Sequence, residues 1–348
     1  MLQPWPDDSR WLAVHLFFNH PGIYTTECDR VIKEVAEPFV RRFQREGWGD
    51  RHFFIRYSEH GPHVRLRLHG RGDVLEGTVL PALREHVRAL YPDVSFEKPD
   101  VPAYSPPSPS ESAEPAEGEP LRLTHAAEIE YEPETERYGG VEGVRLAERF
   151  FEISSEAAYA LLHRMGSERS SRLGKGLLTV VELVHVFCRG DRQQAVRWMR
   201  QYNSGYLRGV ARDEEGRQAW IGAFDSGYDA QAETLGAYVE EVWSRMDEGE
   251  ELSEALDLYR DGLLEVRGHF EELFEARRLG RTPEPFTQWE MAVTSICSSY
   301  LHMMNNRLGI TIQEESYLAY LVMRTLERDP AEASASADDP AGSAGSEG

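Results

Sequence analysis

The alternation of hydrophobic and polar residues predicts that the N-terminal part is built from strands and helices in turn. Two periodicities carry this prediction, because apolar residues recur every second position in a strand and every third or fourth position in a helix. The predicted elements, in order, are strand 11–18, helix 28–45, strands 52–57 and 63–69, helix 74–90 and strand 121–132. This β-α-β-β-α-β order is that of ferredoxin-like split βαβ domains, in which both helices cover one face of the sheet.

The pattern past Gly140 changes to helices alone. Candidate helices occupy 143–152, 155–165, 174–188, 192–204, 228–247, 252–279, 285–308 and 313–327. Asp191 is placed to cap a helix N-terminus, Gly309 to end a helix, and Thr311 with Glu314 to form a capping box. We therefore predict the α+β fold class, with a ferredoxin-like N-terminal part followed by a mainly α-helical C-terminal part.

Two stretches contain too few apolar residues to form a core. Residues 98–120 are rich in Pro, Ser and Glu, and residues 329–348 are rich in Ala, Ser, Gly and acids. Such compositions are typical of disorder. The predicted organisation is an α+β domain over 1–140 that carries the insert 98–120, a helical domain over 141–328 and a disordered tail over 329–348.

The charge is strongly acidic and unevenly distributed. The net charge of −22 argues against general binding to nucleic acids or anionic membranes. Residues 1–98 hold 14 basic and 14 acidic residues together with 7 of the 12 histidines, so the whole excess of acid lies in the rest of the chain. A neutral, histidine-rich N-terminal part therefore stands out within an acidic protein.

Cysteine spacing and hydropathy indicate the cellular compartment of the protein. Cys28, Cys188 and Cys297 are far apart and form no metal-binding spacing, which indicates free thiols in a reducing compartment and no metal site. The N-terminus has neither a basic region nor an apolar region typical of a secretory signal. The longest apolar run, 177–187, is interrupted by Glu182 and is too short to span a membrane. We therefore expect a cytoplasmic protein.

The strand 63–69 carries the first candidate site. Its basic residues alternate with apolar ones, so they share one face of the strand; we call them the Arg/His ladder, which comprises His63, Arg65, Arg67 and His69. Arg56 on the preceding strand is expected to reach the same face. Clustered cations repel one another unless an anion lies among them, so the ladder predicts an anion-binding face. The alternative is a solvated face whose arginines pair with glutamates of a neighbouring strand, Glu128 and Glu130 in particular.

The helix 285–308 carries the second candidate site. Ser295, Ser299, His302 and Asn306 recur at helical spacing and form one polar stripe on an otherwise apolar helix. A polar stripe on a buried helix needs partners or must line a cavity. The alternative is a histidine whose hydrogen bonds are satisfied by a neighbouring carbonyl group. The chain contains no GxSxG, GxGxxG, Walker or HExxH motif.

Four segments in register carry a resemblance to a known family. HFFIRYSEHGPHVRLRL, YEPETERYGG, AERFFEISSEAAYALL and YLHMMNNRLGI follow one another in this order over about residues 11–326. Together they resemble the C-terminal domain of lantibiotic dehydratases, which also occurs alone as the thiopeptide-type bacteriocin biosynthesis protein. In this family a separate or N-terminal domain first esterifies Ser or Thr of a ribosomally made precursor peptide with glutamate from glutamyl-tRNA. The C-terminal domain then eliminates glutamate to leave dehydroalanine or dehydrobutyrine.

The resemblance implies partners and residue roles. It implies a precursor peptide as substrate, a separate tRNA-dependent glutamylating enzyme, and no cofactor for this chain, because glutamyl-tRNA serves the partner enzyme. His302, Arg65, Arg67 and Arg137 are the expected catalytic residues, with His302 transferring a proton and the arginines holding the carboxylates of glutamate. The expected substrate-binding residues are Arg56, His63, Ser299, Asn306 and Arg307. Direct contact with nucleic acid is not expected, and a homodimer is left open.

Two other functions stay open at this point. A related branch of the same fold performs the formal [4+2] cycloaddition that builds the pyridine core of thiopeptides and expels the leader peptide. The quoted segments are shared by both branches. The third alternative is a non-catalytic scaffold that binds the precursor peptide, which a ladder fully neutralised by Glu128 and Glu130 would favour.

Overall fold

The computed structural model describes residues 8–20, 22–97, 120–166, 168–211, 213–281 and 284–328. The chain forms two compact units, one comprising residues up to Arg172 together with Asp261–Thr311, the other Leu173–Arg260 together with residues from Ile312 onward. The domain boundary at residues 140 and 141 stays a prediction, because a compact unit need not fold alone. Nearly all of the expected disordered insert, and all of the expected disordered tail, lie outside the described residues.

The first unit contains a four-stranded antiparallel sheet. Its strands are β1 (Ser9–Phe18), β2 (Arg51–Tyr57), β3 (His63–Arg71) and β4 (Leu123–Glu128), in the spatial order β2-β3-β1-β4. All four were predicted, but β4 ends at Glu128 instead of residue 132. Ile129 still donates its N–H to Ala13, after which the chain turns through Pro133, which has no N–H for a strand ladder.

Both predicted helices of this unit contain a π-helical turn just before a proline. The first runs through α1 (Thr26–Val31), a π-turn over Ile32–Ala36 and α2 (Glu37–Arg45); the second runs through α3 (Gly72–Val74), a π-turn over Leu75–Val79 and α4 (Leu80–Leu90). Pro38 and Pro81 stand in the first turn of α2 and α4, where the missing N–H is tolerated. Pro38 thus follows a local change of helical pitch and does not end the helix.

The strand register places the Arg/His ladder opposite the apolar face of the sheet. Val64, Leu66 and Leu68 are fully buried on the side of the α1–α4 helices, as predicted. Arg56 pairs directly with Val64 across β2 and β3, so its side chain shares the apolar face. The expectation that Arg56 reaches the ladder face was therefore wrong. The five-residue connection over 58–62 sets this register, and a shift by one residue would have reversed it.

The ladder face is also largely covered, so it is not the solvated face considered as the alternative. His63, Arg67 and His69 are at most 6% exposed. The helix α5 (Val141–His163) lies against this side through Phe151, whose ring centre is 5.2 Å from that of Phe53 on β2. Most of the ladder is therefore buried inside the first unit.

The helices match the prediction with two exceptions. They are α5, α6 (Arg169–Cys188), α7 (Arg192–Val210), α8 (Glu214–Asp229), α9 (Ala232–Asp247), α10 (Glu254–Glu275), α11 (Trp289–Leu308) and α12 (Ile312–Leu326). Two short strands, β5 (Gly280–Arg281) and β6 (Glu284–Pro285), pair antiparallel between α10 and α11. The break predicted after residue 152 is absent because the Ser154 and Ser155 hydroxyls donate to carbonyls within α5 and leave it intact. The helix α8 was missed, although Asp213 caps it.

Helix ends follow the local sequence signals. The Asp191 carboxylate accepts the N–H of Gln194 at 3.0 Å, and Gly309 takes a left-handed conformation with φ 72° at the end of α11. Both confirm the predicted caps. None of the helices described is both long enough and apolar enough to cross a membrane.

Candidate functional site

Arg67 is the centre of the candidate site. It is 6% exposed, and its Nε and Nη1 atoms have no hydrogen-bond partner among the described residues. Its guanidinium carbon lies 4.7 Å from the centre of the Tyr131 ring and 5.6 Å from that of Phe53. Burial lowers the pKa of Arg67 to about 10, a cost that an anionic ligand would offset. A buried cation without hydrogen-bond acceptors is a strong indication of anion binding.

Arg65 lies two residues away and is fixed in place by its neighbours. Its guanidinium carbon is 3.3 Å from the centre of the Tyr57 ring, and its Nε donates to His63 Nε2 at 3.1 Å. Its nearest carboxylate oxygen, on Glu59, is 3.8 Å away. Partial burial lowers the pKa of Arg65. Stacking and hydrogen bonding therefore leave Arg65 oriented but only loosely neutralised.

His63 acts as a neutral acceptor within the ladder. Its Nδ1 lies 2.8 Å from the Gly61 carbonyl oxygen, to which it can only donate, so Nε2 is free of hydrogen and accepts from Arg65. Burial, together with the neighbouring Arg65, lowers the pKa of His63 to about 4. Its ring stacks on that of His15 at 4.8 Å. The structure thus shows His63 orienting Arg65, and its predicted role in substrate binding stays a prediction.

Arg137 contacts both Ser299 and Glu134. Arg137 donates from Nε to Ser299 Oγ at 3.0 Å, and its Nη1 is 3.2 Å from Glu134 Oε2. Burial lowers the pKa of both Arg65 and Arg67, and the Glu134 carboxylate opposes this lowering. Three of the four predicted catalytic residues, Arg65, Arg67 and Arg137, therefore lie within the electrostatic range of one carboxylate.

His302 lies on the same stripe of α11 as Ser299, one helical turn further along. It is half-buried, in contrast to the fully buried Leu301 and Met303 on either side. Ser299 on this stripe contacts Arg137, whereas the predicted approach of His302 to Arg65 and Arg67 stays a prediction. The proton-transfer role of His302 stays a prediction.

Arg56 belongs to a buried cluster of charged residues at the C-terminus of α11. Its Nη2 is 2.5 Å from Asp29 Oδ1, and its Nε donates to the Arg307 carbonyl at 3.1 Å. Arg172 binds the same Asp29 carboxylate and the Leu308 carbonyl, and Arg169 donates to the Gly309 carbonyl. Three arginines thus satisfy the last carbonyls of α11 and complement the negative end of its dipole.

Asn306 covers the free edge of β2. Its Oδ1 accepts the Arg56 backbone N–H at 3.0 Å, and its Nδ2 donates to the Arg56 carbonyl at 2.9 Å. Ser155 of α5 accepts the Phe54 N–H of the same edge at 3.2 Å. These side chains satisfy edge groups that would otherwise be buried without partners. Substrate binding by Asn306 would have to compete with two existing hydrogen bonds.

Arg307 is fully buried and engaged in α11 and α5. It donates to Ser155 Oγ at 2.9 Å and to the Met303 carbonyl at 2.8 Å, and its guanidinium lies 5.2 Å from the Phe151 ring centre. These contacts position the two helices against each other. Like Arg56 and Asn306, Arg307 has a structural role in the observed geometry, and its role in substrate binding stays a prediction.

A cavity of about 860 Å³ adjoins the ladder, and the sequence patterns did not reveal it. Trp11, Ala13, Tyr131 and Glu148 are among its lining residues. The Tyr131 hydroxyl donates to Glu148 Oε1 at 2.8 Å. Burial raises the pKa of Glu148 to about 7, against the opposing effect of the Tyr131 hydrogen bond. Tyr131 therefore contacts Arg67 with its ring and Glu148 with its hydroxyl.

The functional candidates that the sequence missed are Glu134, Tyr131 and Glu148. Glu134 lies within the quoted segment YEPETERYGG, which was the available signal for it. Tyr131 follows β4 in the alternating pattern, and Glu148 looks like an ordinary helical glutamate until the fold buries it. Among the described residues no group of three or more His, Cys, Asp or Glu side chains is arranged to hold a metal ion.

The two glutamates at the end of β4 and just beyond it do not neutralise the ladder. Among the described ion pairs, none joins Arg65 or Arg67 to Glu128 or Glu130. Glu128 pairs with Val14 in the strand register and so points away from the ladder side. The solvated, fully paired face considered as an alternative is therefore wrong for Arg67.

Most of the chain matches one known protein family. The family model described as "Lantibiotic biosynthesis dehydratase C-term" matches residues 11–326, which is most of the chain. The chain belongs to this family. The resemblance inferred from the four sequence segments is confirmed, and with it the assignment to the biosynthesis of lantibiotic- and thiopeptide-type ribosomal peptides.

One curated relative is much longer than this chain. "Subtilin biosynthesis protein SpaB" from Bacillus subtilis is 25% identical over 179 residues, which are 51% of this chain and 14% of that protein. The chain thus spans only a small part of this curated relative.

Solved structures of low identity share the fold. The pyridine synthase TbtD, from thiomuracin biosynthesis, has a TM-score of 0.66 at 19% identity, with 91% of this chain and 97% of that chain covered. TsrL has a TM-score of 0.60 at 18% identity, covering 92% and 95%. The tRNA-dependent lantibiotic dehydratase MibB from Microbispora sp. 107891 has a TM-score of 0.54 at 20% identity, covering 94% and 28%.

Proposed function

We propose that this chain eliminates glutamate from glutamylated Ser or Thr residues of a ribosomally made precursor peptide, leaving dehydroalanine or dehydrobutyrine. The observation that carries the proposal is the buried Arg67 guanidinium, with two nitrogen atoms that have no hydrogen-bond partner among the described residues. A departing dicarboxylate supplies the acceptors that this cation lacks. Family membership supports a peptide substrate and a role as an enzyme.

The elimination needs a base and a site for a carboxylate leaving group. The base removes the α-proton of the modified residue, the electron pair forms the Cα–Cβ double bond, and the Cβ–O bond breaks to release glutamate as its carboxylate. His302 would take the proton, because it is a half-buried imidazole beside the Arg137–Ser299 contact. Arg65 and Arg67 would hold the glutamate, and Arg137 would stabilise the enolate that develops on the substrate carbonyl. No cofactor takes part in these steps.

The glutamyl group must come from another protein in this scheme. We propose a split system in which a separate tRNA-dependent enzyme esterifies the precursor peptide and this chain acts next. Support comes from MibB, of which this chain covers 28%. We also infer that the N-terminal part is a ferredoxin-like split βαβ, since the spatial order β2-β3-β1-β4 with helices after β1 and β3 is the order expected for it.

The second candidate is a pyridine synthase that carries out the formal [4+2] cycloaddition. One observation favours it: the chain covers 97% of TbtD, whereas it covers only a minor part of MibB. Such an enzyme would need a groove for the leader peptide and a general acid, for which His302 is the candidate. The unpartnered Arg67 favours elimination over this alternative, because cycloaddition releases no dicarboxylate.

Two peptide substrates separate these functions. The purified protein is incubated with a synthetic precursor peptide that bears glutamyl-Ser, and separately with one that already contains two dehydroalanines and azoles. An eliminase releases glutamate from the first and leaves the second unchanged. A pyridine synthase converts the second into a macrocycle and expels its leader peptide. Binding of both peptides without any conversion would favour the non-catalytic scaffold and contradict elimination.

A further inference from the structure

The cavity that adjoins the ladder is lined by the buried Glu148 and by Tyr131, which also contacts Arg67. Ala13 lines it and stands directly opposite Arg67 in the register of β1 and β3, so this part of the cavity wall belongs to the ladder face. Tyr131 and Glu148 line another part of the same cavity. A ligand in this cavity would therefore contact Glu148 and lie close to Tyr131, whose ring carries the Arg67 guanidinium at 4.7 Å.

We propose that Glu148 binds the ammonium group of an amino acid whose carboxylate is held by Arg67. The inference rests on the proposed function and names the part of the substrate that this cavity recognises. Glutamate transferred from tRNA is esterified through its α-carboxyl group, so it keeps a free α-ammonium group and a free side-chain carboxylate. Arginines satisfy only the carboxylates, and the ammonium group needs an acceptor of its own.

Glu148 has the required free acceptor. It is 1% exposed, its Oε1 is occupied by the Tyr131 hydroxyl at 2.8 Å, and its Oε2 has no hydrogen-bond partner among the described residues. A buried carboxyl oxygen without a donor is costly unless a ligand supplies one. An ammonium group carries three donors and no acceptor, which complements this oxygen.

Tyr131 connects the two groups of the proposed site. The Arg67 guanidinium lies over the Tyr131 ring at 4.7 Å, and Glu148 accepts from the hydroxyl of the same ring. One phenol ring therefore lies between the two groups, and the Glu148 carboxylate opposes the lowering of the Arg67 pKa that burial causes.

The charges around Glu148 favour a cation in the cavity. Glu76, Glu128 and Glu130 also line it, whereas its two arginines are Arg10, which pairs with Glu76, and Arg145. Burial raises the pKa of Glu148 to about 7, although Tyr131, Arg51, Arg145 and Trp11 oppose the rise. Near neutral pH a bound ammonium group would therefore shift Glu148 towards its ionised form and release a proton.

Isothermal titration calorimetry with L-glutamate and glutarate tests this site, because glutarate is glutamate without the ammonium group. At pH 8 the protein should bind L-glutamate roughly tenfold or more tightly than glutarate, as expected for a charged hydrogen bond. At pH 6, titrations in buffers of different ionisation enthalpy should show proton release with L-glutamate and none with glutarate. Glu148→Gln should abolish both the preference and the proton release, while its affinity for glutarate stays unchanged.

Glu130→Gln is the matched control for Glu148→Gln. Glu130→Gln removes an exposed carboxylate from the same cavity and should keep the preference for L-glutamate. Equal affinity for the two ligands, no binding of either, or weakening of both by Glu148→Gln in a protein with unchanged melting temperature would overturn the proposal. Failure of the proposed function has another signature: the preference for L-glutamate is seen, but no glutamate is released from the glutamylated peptide.

Discussion

The guanidinium carbon of Arg67 lies 4.7 Å from the centre of the Tyr131 ring, so the central ladder arginine is bound to an aromatic face and not to a carboxylate. Cation–π contact offsets part of the cost of burying the charge and leaves hydrogen-bond donors for a ligand. Most buried arginines of this unit, such as Arg56, have carboxylate or carbonyl partners instead. This contrast separates the candidate site from the structural clusters around it.

Arg67→Lys should lower the rate of glutamate release by roughly ten- to a hundredfold. An ammonium group cannot reproduce the planar donor pattern of a guanidinium or its stacking on Tyr131, and hydrogen bonds to charged groups are worth about 1.5–3 kcal/mol. The measurement is glutamate release from the glutamylated peptide under single-turnover conditions. Arg71→Lys, at the exposed end of the same strand, is the control and should keep the original rate. Unchanged release by Arg67→Lys would exclude Arg67 from the site.

His302→Ala should slow turnover by about 10²- to 10⁴-fold while peptide affinity changes little. Proton transfer contributes in the transition state and not in the ground state, so its loss affects kcat more than binding. The two quantities are measured by glutamate release and by fluorescence anisotropy of a labelled peptide. His163→Gln, at an exposed position on α5, serves as the matched control. If His302→Ala weakened binding and left the rate at saturation intact, the assigned role would be wrong.

Asp29→Asn should lower the free energy of unfolding by about 3–5 kcal/mol, because it leaves Arg56 and Arg172 as buried charges without a counter-ion. The two arginines hold the last carbonyls of α11, so loss of the carboxylate should also loosen that helix end. Urea denaturation measures the effect. Asp73→Asn, an exposed aspartate near the end of β3, should change the stability by less than about 0.5 kcal/mol. Similar values for both variants would contradict the buried cluster.

Glu148→Gln should stabilise the free protein at pH 8 and leave its stability nearly unchanged at pH 4. The folded protein holds the Glu148 pKa near 7, above the ordinary value of 4.5 expected when unfolded. Stability is therefore lost as the pH rises from about 4.5 to 7, because only the unfolded chain ionises freely. The gain at pH 8 should reach up to about 3 kcal/mol, at 1.36 kcal/mol per pKa unit. Urea titrations of both proteins at the two pH values provide the measurement; equal stability at pH 8 would show that Glu148 ionises readily.

The sequence predicted the strands of the sheet and most helices because their hydrophobic periodicities are local. It failed where tertiary contacts override a local signal. A break after residue 152 was predicted in α5, but the Ser154 and Ser155 hydroxyls bond to carbonyls within the helix and Ser155 also accepts from β2. The helix α8 was missed even though Asp213 offers a capping signal at its start. Local propensity is a weak guide wherever packing decides the outcome.

The sequence by itself determined that basic residues would line one side of β3, because strand alternation fixes the faces of a single strand. It also placed Ser299 and His302 on one stripe of α11. Only the tertiary structure decided which residues on other elements share those faces. Strand register put Arg56 on the opposite side, and chain packing buried Glu148 beside Tyr131. The physical reason is that periodicity acts within one element, whereas register, burial and the resulting pKa values depend on elements distant in sequence.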